Sequence, residues 1–163
     1  FLALALYNWV VRLQPEANER LLLASRCQHI GRWESLRESY PEGRDGYLAW
    51  RRDLAKFHAD KAAGLLLEAG YNQQEIEEVQ RIVLKKKIKV DPDVQTMENA
   101  LCLVFLEFQY EDFYPKYDDD KVVNIIKKSL LKMDAHGHGY ALKLPYSEKG
   151  KALIMKALEQ IGN

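Results

Sequence analysis

The sequence predicts an all-α protein, a single-domain helical bundle of about seven to eight helices. Apolar residues recur at helical spacing along most of the chain. No segment alternates apolar and polar residues as a half-buried strand does, and there is no internal repeat. The chain has 163 residues, 47% of them hydrophobic, which is enough for one sizeable core. We therefore expect residues 1–163 to form one domain.

The first two helices are placed by their end signals. A first helix ends near Leu13, and Pro15 suits the first turn of a second helix that runs to about Trp33. We expect the N-terminus to be incomplete, with residues 1–6 coming from an earlier helix that is separated from Tyr7. The apolar opening run is too short to span a bilayer.

Turn formers and charges over residues 34–46 predict an ordered loop. A long helix follows from about Tyr47 to Ala69, and Gly70 is suited to end it in a left-handed conformation. Asn72 can cap the next helix, over residues 73–87, which carries acidic residues early and lysines late. Those lysines indicate a solvated helix end, with a phosphate or RNA contact as the alternative.

Three further helices complete the prediction. Asp91 and Pro92 form a cap and first turn for a nearly apolar central helix that runs to about Tyr114. An acidic run, Asp118 to Asp120, opens another helix, and a turn with the sequence AHGHG precedes a last helix over residues 147–161.

Composition limits the classes of partner. Lysine plus arginine equals aspartate plus glutamate at 24 each, so no overall field attracts nucleic acid or an anionic membrane, and no nucleic-acid partner is expected. Cys27 and Cys102 lie within apolar helical patterns and are interpreted as small buried hydrophobic residues. This favours a soluble protein in an intracellular, reducing compartment, the cytoplasm or an organelle matrix.

Polar side chains on three helices are candidates for a common pocket. Gln28 and His29 end the second helix, and His58 lies between small alanines on the long helix. On the central helix, an amide and a carboxylate point toward the core, and Arg51 or Arg26 is the expected partner of the acid. The candidate pocket residues are Gln28, His29, Arg51, His58, Asn99 and Glu107. A structural polar network that fixes helix register is the alternative.

Several blocks together resemble an uncharacterised family, domain of unknown function 4202, whose members often carry the label glutamyl-tRNA synthetase. The blocks are QHIGRW at 28–33, YLAWRRDLAKFHADKA at 47–62, LLLEAGY at 65–71, VLKKK at 83–87 and ENALCLVFLEF at 98–108. The resemblance covers nearly the whole chain beyond Tyr7 and implies no established activity. The synthetase label has no support, because the alternating strands and helices of a nucleotide-binding fold are absent from the predicted pattern.

The layout is also remotely similar to the HD superfamily of metal-dependent phosphohydrolases. Residues 28–31, QHIG, resemble the HDIG motif of that superfamily, His58 resembles its downstream histidine, and Asn99 lies near its last aspartate. Gln replaces a ligating His, His replaces the Asp, and an amide replaces a carboxylate. Because neutral amide oxygens bind divalent cations weakly, the resemblance implies a degenerate site with no metal.

Two functions follow as hypotheses. The first is an HD-like binding or assembly module with protein partners and no cofactor. The alternative is a metal-dependent phosphohydrolase acting on a nucleotide or a small phosphate ester, with Arg51 binding the phosphate. In that alternative, His29, His58 and Glu107 hold a divalent transition metal.

Overall fold

The computed structural model describes residues 1–162, and within them all regular structure is helical. The all-α prediction is confirmed, but the described residues form nine α-helices rather than seven to eight. They are α1 (Leu2–Leu13), α2 (Glu19–Cys27), α3 (Gly43–Glu68), α4 (Gln73–Val83), α5 (Pro92–Phe108), α6 (Tyr110–Phe113), α7 (Asp119–Lys132), α8 (Ala135–Ala141) and α9 (Glu148–Ile161). Three 3₁₀ turns cover Arg32–Glu34, Arg37–Ser39 and Tyr114–Lys116.

The additional helices are short ones. The predicted central helix is interrupted at Gln109, whose φ of −128° is not helical, and α6 follows as a separate turn. The AHGHG segment, predicted as a turn, is helix α8 because the Asp134 side chain caps it by accepting from the backbone N–H of Gly137.

Several predicted helix ends are confirmed by their capping bonds. Asn72 accepts from the backbone N–H of Glu75, and the Glu75 side chain accepts from the backbone N–H of Asn72, which makes a complete capping box for α4. The Asp91 side chain accepts from two backbone N–H groups at the start of α5. Gly70 follows α3 with a φ of +91°, the left-handed conformation expected of it.

The prediction that residues 1–6 come from a helix separated from Tyr7 is wrong. Helix α1 runs without interruption from Leu2 to Leu13, so Leu6 and Tyr7 belong to one helix. Leu6 and Trp9 are both buried, and α1 packs against α2 and α5. The residues before Tyr7 therefore contribute to the same core as the rest of α1.

Both predicted ends of α2 are also wrong. Its N-cap is Asn18, whose side chain accepts from the backbone N–H of Leu21, so Pro15 lies before the helix. The helix ends at Cys27 instead of Trp33 because the chain turns over residues 28–30, and Gly31 then adopts a φ of +65°. Gln28 and His29 therefore lie on a turn after the helix.

Helix α5 lies at the centre of the fold. It contacts α1 and α4 from the first half of the chain, and α6, α7 and α8 from the second half. Helix α3 packs on α4, and α9 packs on α7. One apolar core cluster draws buried residues from both halves, including Leu21, Ile82, Leu103 and Ile154. Among the described helices, none has the length and apolar character needed to cross a membrane.

Candidate functional site

A cavity of about 250 Å³ lies between the turn after α2, the middle of α3 and the C-terminal end of α4. The side chains around it are mostly polar or basic, and none is a carboxylate. The lining residues are Gln28, His29, Arg32, Arg51, Arg52, Leu54, Ala55, His58, Val83, Leu84 and Lys85. The cavity thus combines two imidazoles and an amide with four cationic side chains.

His58 enters the cavity from α3 in a fixed tautomer. Its Nδ1 lies 2.7 Å from the carbonyl oxygen of Ile30. Because a carbonyl only accepts, Nδ1 carries the proton and Nε2 carries a lone pair. His58 is 3% exposed, and Nε2 is buried without a hydrogen-bond partner. Burial and then the positive charges of Arg32 and Arg51 lower the pKa of His58, against an opposing effect of the Ile30 bond, so the ring is held neutral.

His29 reaches the same cavity from the turn after α2. The two rings meet edge to face, with centroids 6.2 Å apart and an interplanar angle of 81°. Burial, with smaller contributions from Arg32, His58, Lys85 and Arg51, lowers the pKa of His29 to about 4. The ring is therefore neutral at neutral pH, and its buried Nδ1 has no partner among the described residues.

Gln28 ties the turn to the end of α4. Its Nε2 donates to the carbonyl oxygen of Val83 at 3.1 Å, and the residue is 5% exposed. This bond leaves the amide oxygen Oε1 buried without a partner. An unpaired buried acceptor is costly, so a ligand that supplies a donor there would gain the missing bond.

The cationic side chains come from three separate elements. Arg51 and Arg52 lie on α3, and Arg32 follows the turn after α2, with its guanidinium 5.2 Å from the centroid of the Trp50 ring. The Arg52 Nε is 3.2 Å from an oxygen of Asp53. These residues place positive charge on two sides of the cavity.

Lys85 supplies the fourth cationic side chain from a strained segment. It has a φ of +54°, and Lys87 and Lys89 are also left-handed, a conformation that costs free energy in residues other than glycine. Lys85 Nζ lies 3.2 Å from Oε2 of Glu98, which is 3% exposed. The buried carboxylate on α5 therefore holds the ammonium group beside the cavity.

The structure brings together four of the six predicted pocket residues, Gln28, His29, Arg51 and His58. It does not bring Asn99 and Glu107 to them. Glu107 is exposed and accepts from Trp9 Nε1 at 2.7 Å, so neither Arg51 nor Arg26 is its partner. The prediction that all six polar side chains line one pocket is corrected for Asn99 and Glu107, because α5 turns these two side chains toward α1 and α8.

Asn99 belongs to a structural network under α8. Its Nδ2 donates to Asp134 Oδ1 at 2.8 Å, and its Oδ1 accepts from Gln95 Nε2 at 3.1 Å. The structural alternative considered for the polar residues therefore describes Asn99, whose bonds hold the capping residue of α8 in place.

Sequence reasoning missed some of the residues that line the cavity and the buried carboxylate that holds Lys85 beside it. Arg32 and Arg52 are adjacent to predicted residues, so a search for charges next to Gln28–Gly31 and Arg51 would have found them. Lys85 belongs to the lysine run for which a phosphate contact was the alternative interpretation. Its pairing with Glu98 has no signal in the sequence, because the left-handed turn that joins them is not encoded by glycine.

The comparisons with known proteins give a family. The family model described as domain of unknown function (DUF4202) matches residues 1–154. The chain belongs to the DUF4202 family. No curated protein and no solved structure matches this DUF4202 chain. Within residues 1–162, no group of three or more His, Cys, Asp or Glu side chains is arranged to hold a metal ion.

Proposed function

We propose that this DUF4202 chain is a binding domain whose cavity takes a small organic anion with a phosphate group. The observation that carries the proposal is the lining, with Arg32, Arg51, Arg52 and Lys85 around one cavity and no carboxylate among them. Guanidinium groups bind phosphate oxygens in a bidentate manner, and such charge-assisted hydrogen bonds are stronger than neutral ones. The neutral imidazoles carry no charge, so they neither attract nor repel an anion.

The volume of the cavity and the unpaired amide oxygen of Gln28 indicate what kind of group carries the phosphate. A cavity of about 250 Å³ is slightly smaller than most ligand sites, which suits a phosphate on a compact organic group better than a dinucleotide. The buried Gln28 Oε1 is an acceptor without a partner and therefore favours a ligand with a hydroxyl or amino donor near the phosphate. Phosphate esters of small hydroxylated compounds meet both conditions.

The HD-like degenerate site and the metal-dependent phosphohydrolase stay as predictions from the sequence. The predicted ligands His29 and His58 share the cavity, but Glu107 hydrogen-bonds to Trp9 and is not among the lining residues. The two imidazoles remain as candidate ligands of a divalent transition metal. Elemental analysis of the purified wild-type protein and of His29→Gln tests this alternative, which predicts a stoichiometric metal in the first and its loss in the second.

Calorimetric titration with inorganic phosphate, sugar phosphates and nucleoside monophosphates tests the proposal. Binding of at least one phosphate ester is expected, and Arg51→Met should weaken it about tenfold or more, since a hydrogen bond to a charged group contributes about 1.5–3 kcal/mol. Arg44→Met is the matched control, because Arg44 is an exposed arginine of the same helix outside the cavity. Failure of all these compounds to bind, or equal affinities of the two variants, would overturn the proposal.

A further inference from the structure

Tyr47 lies one helical turn before Arg51 on α3, and phosphate binding does not explain its exposed ring. Residues four apart on a helix share a face, with Cβ atoms about 5–6 Å apart. Side chains on a helix also lean toward its N-terminus, so Arg51 extends toward the turn that carries Tyr47. The tyrosine therefore borders the cationic part of the cavity without being one of its lining residues.

The residues at this border are open to solvent, in contrast to the buried ring nitrogens of His29 and His58. Tyr47 is 45% exposed, and the adjacent Leu48 is 51% exposed. Arg51 is exposed as well, so a ligand can approach the charged group and the two apolar side chains from the same side. Large apolar side chains left exposed beside a charged site indicate a place where the apolar part of a ligand packs.

The ring of Tyr47 is held by a second aromatic residue. It packs on the Trp50 ring, with centroids 6.0 Å apart and an interplanar angle of 47°. Trp50 is 7% exposed, and its Nε1 donates to the carbonyl oxygen of Ser35 at 3.2 Å. The guanidinium of Arg32 lies 5.2 Å from the centroid of the same Trp50 ring. Trp50 thus connects Tyr47 to an arginine of the cavity, and a ring held in this way loses little freedom when a ligand stacks on it.

We propose that the ligand of the cavity carries a planar aromatic ring that stacks on Tyr47, as the base of a purine nucleoside monophosphate would. The inference rests on the proposed function, since the phosphate group must bind among Arg32, Arg51 and Arg52. The base lies outside the cavity, so the volume of about 250 Å³ has to accommodate only the phosphate and the sugar.

The chemistry of the border selects an aromatic group over an aliphatic one. Aromatic rings stack on tyrosine in offset or tilted arrangements, and this contact adds to the free energy of burying the apolar area. Leu48 supplies further apolar contact beside the ring. A purine presents more ring area than a pyrimidine, and a sugar phosphate presents none. The expected order of affinity is therefore purine nucleotide, pyrimidine nucleotide and sugar phosphate.

Trp33 is a second exposed aromatic side chain near an arginine of the cavity, but its direction is different. It is 75% exposed and follows Arg32 in a 3₁₀ turn. In that turn Arg32 lies over Trp50, and Glu34 pairs with Lys61. Because a 3₁₀ turn has three residues, Trp33 points in a third direction, away from both of these contacts with α3. Tyr47 is therefore the residue assigned to the stacked ring.

Calorimetric titration of the full chain with adenosine monophosphate, uridine monophosphate and ribose 5-phosphate tests the inference. We expect the wild-type protein to bind adenosine monophosphate about tenfold more tightly than ribose 5-phosphate, with uridine monophosphate between them. Tyr47→Leu should remove this preference and leave the affinity for ribose 5-phosphate unchanged, because the arginines are intact. Tyr47→Phe should keep the preference. Tyr117→Leu is the control, since Tyr117 is 41% exposed and packs on Phe113 away from the cavity.

Unchanged binding of ribose 5-phosphate also verifies that Tyr47→Leu is folded, and the wild-type comparison of the three ligands needs no variant. Equal affinities of the wild-type protein for the three ligands would overturn the inference and leave the proposed function standing. A preference for the base that persists in Tyr47→Leu, or an equal loss of all three affinities in that variant, would also overturn it. If no phosphate compound binds, the inference and the proposed function fail together.

Discussion

At the residue scale, the two imidazoles of the cavity differ from the other two histidines in how they are satisfied. His136 and His138 each place Nε2 on a backbone carbonyl, at 3.0 and 2.7 Å. His29 and His58 keep a buried ring nitrogen without a partner, in a cavity with four cations. Protonating an imidazole placed in this way lowers the free energy of unfolding of the protein. The stability of the folded chain should therefore depend on pH.

We predict that His29 makes the wild-type protein acid-sensitive below about pH 6.5. Its pKa is about 4 in the folded chain and about 6.5 when unfolded. The lowered folded pKa means that the unfolded chain binds the proton first, so the stability is fully present above pH 6.5. It is lost as the pH falls toward 4, by up to about 3 kcal/mol. Urea unfolding of wild type and His29→Gln across this window measures the difference.

The surrounding charges are the same in both proteins, so the comparison isolates the cost of protonating His29 among them. Arg32, Arg51, Lys85 and His58 face His29 in each case. His136→Gln serves as the control and should follow the wild-type curve. Parallel curves for wild type and His29→Gln would show that the folded chain accepts the proton on His29 without cost.

The candidate site was predictable from the sequence only where local spacing determines it. Gln28 and His29 are adjacent in the sequence, and Arg51 and His58 share one stripe of α3. Each pair could therefore be placed together from local spacing alone. Glu107 was misplaced, because a nearly all-apolar helix such as α5 gives no clear polar face to orient it.

At the element scale, the starts of α4 and α5 were predictable from their capping side chains, although the caps Asn18 and Asp134 were missed. The end of α2, which a tertiary contact sets, was not predictable. Asn72 and Asp91 satisfy backbone donors within three residues of themselves, which is local chemistry. The end of α2 depends instead on Gln28, whose amide reaches the Val83 carbonyl 55 residues later. Residues that far apart are not brought together by any local pattern.

Helix α8 gives a prediction with its own control. A Cβ added at Gly137 would lie 2.7 Å from Cγ and Oδ1 of Asn99 and 2.9 Å from Cε of Met133. A Cβ at Gly139, in the same helix, would meet open space. Gly137→Ala should therefore lower the free energy of unfolding by about 1–3 kcal/mol, through overpacking against the Asn99 network.

Gly139→Ala should be neutral or stabilise the protein by up to about 1 kcal/mol, since alanine favours the helix over glycine. Equilibrium urea unfolding of both variants measures the two effects under one set of conditions. Equal effects of the two substitutions would mean that α8 shifts to accommodate the methyl group and that the close approach to Asn99 is not a constraint.

At the scale of the whole molecule, the central position of α5 separates the cavity from the last helices. The cavity is lined from the turn after α2, from α3 and from the end of α4, while α7 and α9 pack on each other beyond α5. A ligand that bridges these three lining segments would restrain them relative to one another. The effect of the ligand on local opening of these segments can therefore be measured separately from its effect on global unfolding.

A phosphate ester at a free concentration about 100 times its Kd should raise the free energy of global unfolding by about 2.7 kcal/mol, because it binds only the folded chain. Under native conditions, where local opening dominates, it should slow amide hydrogen exchange in the turn at 28–32 and around Arg51–His58. Exchange in α9, which supplies no lining residue, should stay unchanged. Slowing in α9 that equals the slowing at 28–32, measured by mass spectrometry of the same samples, would place the bound anion elsewhere on the molecule.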